Sequence, residues 1–178
     1  MKIINVIDLD KTLIPYDSFG KIIKNEIKNF RLKVIYLTIL RVLRLISLEI
    51  YKGKITHWLE RYHNKAFFER FAQNIHDDID SEVLKEVNKE SNSQTINILL
   101  SASPDIYVKY LIIEMDWVGS GSYFENKKFI HLHGKGKINW LIKNFPKDKF
   151  KYQLAISDSA TDDDLLKMFK KEIKWILP

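Results

Sequence analysis

The 178-residue chain is 46% hydrophobic and 12% aromatic, carries a net charge of +6 and contains no cysteine. This length and composition suit one ordinary domain, or one compact domain with a sizeable insertion, and argue against disorder. The lack of cysteine excludes a disulfide framework, a cysteine zinc site and a catalytic thiol. Because Asp8 and Asp10 interrupt any signal-peptide core, we expect an intracellular, cytoplasmic protein.

The first half of the chain combines one strand with a long helical block. Residues 3–7 (IINVI) form a continuous apolar run, which is typical of a strand buried on both faces of a parallel sheet. A turn with Pro15 as its breaker follows. The pattern then predicts an all-helical block with helices over residues 18–30, 32–51, 56–74 and 81–91.

The second half alternates strands with helices. It contains predicted strands over 96–100, 152–156 and 173–177, and a hairpin over 120–130 that turns at 125–127. Helices are predicted up to residue 115 with Ser103 as N-cap and Pro104 in the first position, over 137–145 and over 162–171. The alternation indicates an α/β fold with a mostly parallel sheet. We therefore predict a core of residues 1–15 and 95–178, with residues 16–94 inserted as a helical cap.

The positive charge is concentrated in the helical block. Residues 20–70 hold 12 Lys or Arg and 4 Glu, a net charge of +8. The basic, apolar segment 32–51 carries too many charges to span a membrane. An alternative is that the protein is a non-catalytic module in which this segment lies on an anionic membrane surface. Against that hypothesis, Leu37, Leu45 and Leu48 interrupt its basic face, which favours a helix packed in a bundle. Only net charge supports nucleic-acid binding, so we expect none.

Polar residues follow the ends of three predicted strands. Asp8 and Asp10 follow the first strand, Ser101 the second, and Asp158 with Asp162 a later one. Ligands of open α/β sheets bind beyond the carboxyl ends of the strands. Paired carboxylates there invite Mg²⁺, and a serine before a helix N-terminus suits phosphate. The alternatives are a solvated acidic turn and acids that complement a helix dipole.

Four segments occur in an order that resembles a known superfamily. They are DLDKT, the serine of ILLSASP, the lysine of GKGKINWL, and SDSATDDDLL. Together they resemble the haloacid dehalogenase-like (HAD) superfamily, in its phosphoserine phosphatase-like branch with a helical C1-type cap. The resemblance spans essentially the whole chain and implies a Rossmann-like core with the cap inserted after the first strand.

The resemblance implies a Mg²⁺-dependent phosphatase acting on a small phosphomonoester. Asp8 would be the nucleophile that forms an aspartyl-phosphate, and Asp10 would be the general acid and base. The metal would be held by Asp8, the Asp10 carbonyl and Asp158, with Asp162 supporting them. Thr12 would steady the loop. The same residues would also serve a phosphotransferase, which is the nearest alternative.

The resemblance also implies substrate contacts. Ser101 and a lysine would bind phosphoryl oxygens. Lys137 lies four residues before Leu141, as the family pattern requires, so we favour it over Lys135. Ala102 and Ser103 stand where phosphoserine phosphatases carry two glycines, which argues against strict phosphoserine specificity. Asp17 stands where that family carries a glutamate that reads the substrate ammonium, and its alternative role is a helix N-cap.

Overall fold

The computed structural model describes residues 1–176, and these form one six-stranded sheet with helices on both faces. The sheet order is β4-β3-β2-β1-β5-β6, and every neighbouring pair is parallel except β3 and β4. This confirms the predicted α/β fold with a mostly parallel sheet. The strands are β1 (Lys2–Ile7), β2 (Thr95–Pro104), β3 (Val118–Glu125), β4 (Lys128–Ile130), β5 (Phe150–Ser157) and β6 (Lys171–Lys174).

The segment between β1 and β2 is helical, as predicted, but two of its helices break where none was expected. Its helices are α1 (Ser18–Lys28), α2 (Leu32–Val42), α3 (Leu48–Tyr62), α4 (Lys65–Asp77) and α5 (Ser81–Lys89). The predicted helix over 32–51 stops because Arg44 adopts a left-handed φ of 59° and the Leu45 amide bonds back to the Leu40 carbonyl. Ser47 then caps α3, and Asn64 caps α4, which divides the predicted helix over 56–74.

The remaining helices are α6 (Asp105–Glu114), α7 (Lys135–Asn144) and the single-turn α8 (Asp163–Leu166), which follows a 3-10 turn at Ala160–Asp162. The helix predicted over 162–171 is therefore wrong in length, because β6 already begins at Lys171 and pairs with β5. The strand predicted over 173–177 starts and ends earlier, and its Leu177 lies outside the described residues. The predicted hairpin turn is present, with Asn126 and Lys127 in left-handed conformations that suit a tight β-turn.

Two apolar clusters cover the two faces of the sheet. Ile4 and Val6 of β1 face one cluster, which α7 and α8 complete. Ile7 faces the other, which contains buried residues from all of α1 to α6. The inserted helices thus share a continuous core with the sheet, and their description as a separate cap over residues 16–94 stays a prediction. No helix within residues 1–176 is both long and apolar enough to cross a membrane.

Candidate active site

The carboxyl ends of β1, β2 and β5 meet at one edge of the sheet, below α1 and α3. A cavity of about 570 Å³ opens there. Its walls include residues from the four segments singled out in the sequence, together with Asp17. They are Asp8, Asp10, Asp17, Ala102, Lys137, Asp158 and Asp162. The parallel topology brings Asp8, Asp10 and Asp158 together, because residues that follow parallel strands share one edge.

A buried ion-pair network lies at the base of this cavity. The Lys137 ammonium contacts Asp8 Oδ1 at 2.7 Å and Asp162 Oδ2 at 2.6 Å, and the Ser157 hydroxyl donates to the same Asp162 oxygen at 2.8 Å. Lys137 is 2% exposed, whereas Lys135 is exposed at the start of α7. Of the two lysines considered, Lys137 is therefore the one that the structure brings to the carboxylates.

Burial and the neighbouring charges shift the pKa values of this network in opposite directions. Burial raises the pKa of Asp8 to about 6, although the Lys137 ammonium favours its ionised form. Burial alone would lower the pKa of Lys137, but Asp8 and Asp162 outweigh it and the pKa is raised. Lys137 is thus a permanent cation at neutral pH, and Asp8 is a carboxylate whose charge is costly without further compensation.

Asp10 is held by two donors from other elements. The Ser18 amide, in the first turn of α1, donates to Asp10 Oδ1 at 2.6 Å, and the Ser103 hydroxyl donates to Oδ2 at 2.5 Å. The Ser18 hydroxyl lies 3.1 Å from the Ser103 hydroxyl and 2.9 Å from the Tyr107 hydroxyl. Burial raises the pKa of Asp10, while the two donors oppose that rise. The arrangement orients the carboxylate toward the cavity.

The segment ILLSASP, which contains Ser101, has a different structure from the one predicted. Strand β2 continues to Pro104 and α6 begins only at Asp105, so no helix N-terminus follows Ser101 directly. Ser103 was predicted as the N-cap of α6, and this is wrong because its hydroxyl bonds to Asp10 and the cap position is Pro104. Ser101 is fully buried, and its hydroxyl oxygen accepts from the Ser103 amide at 3.0 Å. It is Ala102 that lines the cavity.

Thr12 connects the first motif to the last. Its hydroxyl accepts from the Asp158 amide at 2.9 Å and lies 3.4 Å from Asp158 Oδ1. Thr12 is fully buried while Asp158 is half-buried and lines the cavity. The contact joins the loop after β5 to the turn after β1, and the role that the resemblance implies for Thr12 stays a prediction.

Asp17 has the geometry of a helix cap. Its Oδ1 accepts from the Gly20 amide at 3.0 Å, at the N-terminus of α1. The side chain is exposed, and it also lines the cavity. The capping alternative is therefore what its hydrogen bond shows, and a contact with substrate stays a prediction.

Sequence reasoning missed Lys52. This residue of α3 reaches across to the Ala102 carbonyl, to which its ammonium donates at 3.0 Å, and it lines the cavity. Burial lowers the pKa of Lys52, while the nearby Asp10, Asp17 and Asp8 oppose that shift. Nothing in the local sequence distinguishes Lys52 from the other lysines of the basic block, because its contact spans 50 positions of chain.

The predicted metal ligands Asp8, Asp10, Asp158 and Asp162 all line the cavity. The Oδ2 atom of Asp162 already accepts from Lys137 and Ser157. Within residues 1–176, no three His, Asp or Glu side chains converge into a cluster that would hold a metal alone. Mg²⁺ commonly uses one or two carboxylates and completes its shell with water and substrate phosphate. The donor chemistry of Asp8 and Asp158 fits that pattern.

A larger groove of about 790 Å³ lies elsewhere, between α3 and the β3–β4 hairpin. It is lined by apolar residues such as Phe124 and Phe129 together with surface lysines, and it contains none of the motif residues. Its size alone therefore does not make it the candidate active site.

Comparison with known proteins gives fold relatives only. No protein-family model and no curated protein matches the sequence. A protein of unknown function from Bordetella pertussis Tohama I matches with a TM-score of 0.74 over 97% of this chain and 89% of its own, at 14% identity. A HAD-family hydrolase from Salmonella enterica serovar Typhi matches with a TM-score of 0.64 at 14% identity, covering 93% of this chain but 60% of the hydrolase.

The structure of a phosphoserine phosphatase in its apo form matches nearly end to end. It covers 98% of this chain and 94% of its own, with a TM-score of 0.56 at 14% identity. These structures match 93% to 98% of this chain. The chain thus has the fold of the haloacid dehalogenase-like hydrolases, in the arrangement of the phosphoserine phosphatases, as its motifs predicted.

Proposed function

We propose that the protein is a Mg²⁺-dependent phosphatase that hydrolyses a small phosphomonoester through an aspartyl-phosphate on Asp8. The observation that carries this proposal is the convergence of Asp8, Asp10, Asp158 and Lys137 on one cavity at the carboxyl edge of the sheet. The HAD-family and phosphoserine phosphatase neighbours support the same reaction class.

In this proposal, Asp8 attacks the phosphorus atom. Lys137 contacts Oδ1 of Asp8, so the other oxygen, Oδ2, is the one that would form the bond to phosphorus. The Asp8–phosphorus bond forms as the bond between phosphorus and the ester oxygen breaks. The Lys137 ammonium, held by Asp162, offsets the charge that two anions bring together.

Asp10 supplies and then removes the proton. Its raised pKa favours a carboxylic acid that protonates the leaving alcohol. The resulting carboxylate would take a proton from the water that attacks the aspartyl-phosphate and releases inorganic phosphate. Ser18 and Ser103 keep this side chain in place for both steps.

Asp8, Asp158 and the Asp10 carbonyl are the groups that we propose would hold Mg²⁺. Bound there, the ion would neutralise phosphate charge and allow the approach of an anionic nucleophile. We assign Asp162 to the positioning of Lys137 rather than to the metal, since its Oδ2 accepts from both Lys137 and Ser157.

The charges around the cavity mouth define a substrate class. Asp17 presents an anion and Lys52 a cation to the same cavity. A substrate that carries both an ammonium and a carboxylate near its phosphate, such as phosphoserine, would match both. Because Asp17 is exposed, we expect it to contribute no more than about 1 kcal/mol to the binding of the substrate ammonium. Ser101 and Ala102 would shape the phosphoryl pocket beneath them.

The test is phosphate release from three esters in the presence of Mg²⁺. Phosphoserine carries both substrate charges, phosphoethanolamine lacks the carboxylate, and glycerol phosphate lacks both. Lys52→Met should lower kcat/KM for phosphoserine by tenfold or more while changing phosphoethanolamine less. Asp17→Asn still caps α1 and should reduce by severalfold only the preference for phosphoethanolamine over glycerol phosphate. No phosphate release from any ester, with the protein folded, would contradict the proposed function.

A further inference from the structure

The outer side of α2 and the turn that follows it expose large apolar side chains. α2 packs inward through Val34 and Leu37, which are buried. Six large apolar residues of α2 or beside its ends are each at least half exposed: Phe30, Leu32, Tyr36, Ile39, Leu43 and Leu45. We call these six the α2 outer surface. Four of them follow a spacing of three or four residues, so they form one stripe along the helix.

The charge of the same segment has one sign. Between Glu26 and Glu49 the chain has no acidic residue and five basic ones: Lys28, Arg31, Lys33, Arg41 and Arg44. Arg31 lies 3.7 Å from Glu26, and within residues 1–176 the other four form no ion pair. The α2 outer surface is therefore apolar, and four of the five cations in its segment have no carboxylate partner among residues 1–176.

The turn after α2 exposes two leucines, although backbone hydrogen bonds alone close this turn. Backbone bonds from the Arg44 amide to the Arg41 carbonyl and from the Leu45 amide to the Leu40 carbonyl close the helix. Leu43 and Leu45 flank Arg44 and are 61% and 67% exposed. Folding therefore gains little from these two leucines, which suggests that they are covered in another state of the protein.

We propose that the α2 outer surface docks the protein on an anionic lipid bilayer, lying in the plane of its headgroups. There the apolar side chains would enter the boundary of the acyl chains, and the cations would remain with the lipid phosphates. A second copy of the chain is a poorer occupant, since a two-fold contact through this surface would oppose like charges. The sequence argument against a membrane role also weakens, because Leu45 and Leu48 are exposed rather than packed in a bundle.

The docking surface adjoins the candidate active site. Leu48, the first residue of α3, lines the cavity and lies three positions beyond Leu45. A docked protein would therefore hold the cavity mouth beside the bilayer. The docking itself rests on the exposed side chains and does not depend on the proposed activity.

Vesicle co-sedimentation tests this inference. The protein is mixed with vesicles of phosphatidylcholine alone, or of an equimolar mixture with phosphatidylglycerol, at low and high salt. One test pair removes two cations, Lys33→Gln with Arg44→Gln, and the other removes two leucines, Leu43→Ser with Leu45→Ser. Matched controls make the same changes at exposed positions elsewhere: Lys149→Gln with Lys167→Gln, and Ile113→Ser with Ile142→Ser.

We expect the parent protein to bind the anionic vesicles and to be released by salt. Each cation near the surface is worth about fivefold in partitioning, so the charge pair should lower the partition coefficient by about 25-fold. The leucine pair should lower it by at least about tenfold. Both controls should stay within about twofold of the parent. Thermal unfolding checks each fold, and Leu43→Gln alone carries the apolar test if the leucine pair does not fold.

Three results would overturn the inference. The first is an absence of binding to anionic vesicles at low salt. The second is an equal loss of binding in the control pairs, which would mean that only the net charge of the protein acts. The third is a dimer in solution that the leucine pair dissociates while vesicles remain unbound, which would make the α2 outer surface a contact between copies.

Discussion

The candidate active site and the α2 outer surface both depart from the usual pattern of buried apolar and exposed charged side chains. The first buries charge, and the second exposes apolar surface. At the strand edge, Asp8, Lys137 and Asp162 are charged and buried, and each has a partner within 3 Å. Along α2, apolar side chains are exposed, and within residues 1–176 only Arg31 of the five nearby cations lies within 4 Å of a carboxylate. Folding alone favours neither arrangement, since burying charge is costly and exposing apolar surface gains nothing. Both regions therefore fit the ligands proposed for them, a phosphate at the strand edge and a lipid surface at α2.

The largest effect should come from removing the buried nucleophile. Asp8→Asn should retain the fold and lower kcat by about 10⁴-fold or more, since the amide cannot form an acyl phosphate. The matched control is Asp105→Asn, which alters a partly buried aspartate that lies outside the cavity and accepts from the Gly121 amide. If Asp8→Asn were nearly as active as the control, Asp8 would not be the nucleophile, and the strand edge would not be the active site.

The two lysines of α7 give the next test, because one is buried and the other exposed. Lys137→Met should lower kcat/KM by about 10²- to 10³-fold, as expected for losing a preorganised charge in the transition state. It should also destabilise the fold by roughly 3–5 kcal/mol, since Asp8 and Asp162 lose their shared cation. Lys135→Met should change kcat/KM by less than about fivefold. The reverse order would show that the buried network is structural only.

The pH dependence of stability tests the cost of burying Asp8 directly. In metal-free protein its pKa is raised to about 6 by burial, against an ordinary value of 3.8. Between these values the folded state holds a proton that the unfolded state has released. The free energy of unfolding, measured relative to Asp8→Asn, should therefore fall as pH rises from about 4 to about 6, by up to about 3 kcal/mol. A difference that stays constant in urea titrations across this range would contradict the raised pKa.

The smallest effect concerns the turn that presents the α2 outer surface. Arg44 adopts a left-handed conformation in which glycine is favoured. Arg44→Gly should raise the free energy of unfolding by about 0.5–1 kcal/mol, and Arg44→Gln should not. If Arg44→Gly is instead destabilising, the arginine side chain contributes to folding and is not merely held out for a ligand.

The sequence predicted the strand edge better than it predicted the helices. Apolar strands followed by Asp8, Ser101 and Asp158 identify one edge because parallel topology leaves no other arrangement for them. The break at Arg44 was not predictable in the same way, since the residues around it favour helix and the stop depends on one backbone angle. Ser47 and Asn64 are cap-forming residues and were the available signals of the new helix starts.

Contacts between distant segments account for the rest. The bond from Ser103 to Asp10 and that from Lys52 to Ala102 each join positions far apart in the chain. From the local sequence, Ser103 is a good candidate for a helix N-cap. Only its tertiary contact with Asp10 shows that its hydroxyl is used elsewhere. Asp17 shows the opposite case, since its cap was predictable locally and its place at the cavity mouth required the fold.

The most direct measurement is the site of phosphorylation during turnover. The protein is mixed with a phosphomonoester and Mg²⁺, quenched in acid and digested with pepsin at acidic pH, where an acyl phosphate survives, and the peptide that contains Asp8 and Asp10 is isolated. We expect the mass of one phosphoryl group on this peptide, fragmentation that locates it on Asp8 rather than Asp10, and no label in Asp8→Asn. Hydrolysis of the ester with the label on another residue, or with no labelled peptide at any quench time, would contradict the aspartyl-phosphate mechanism.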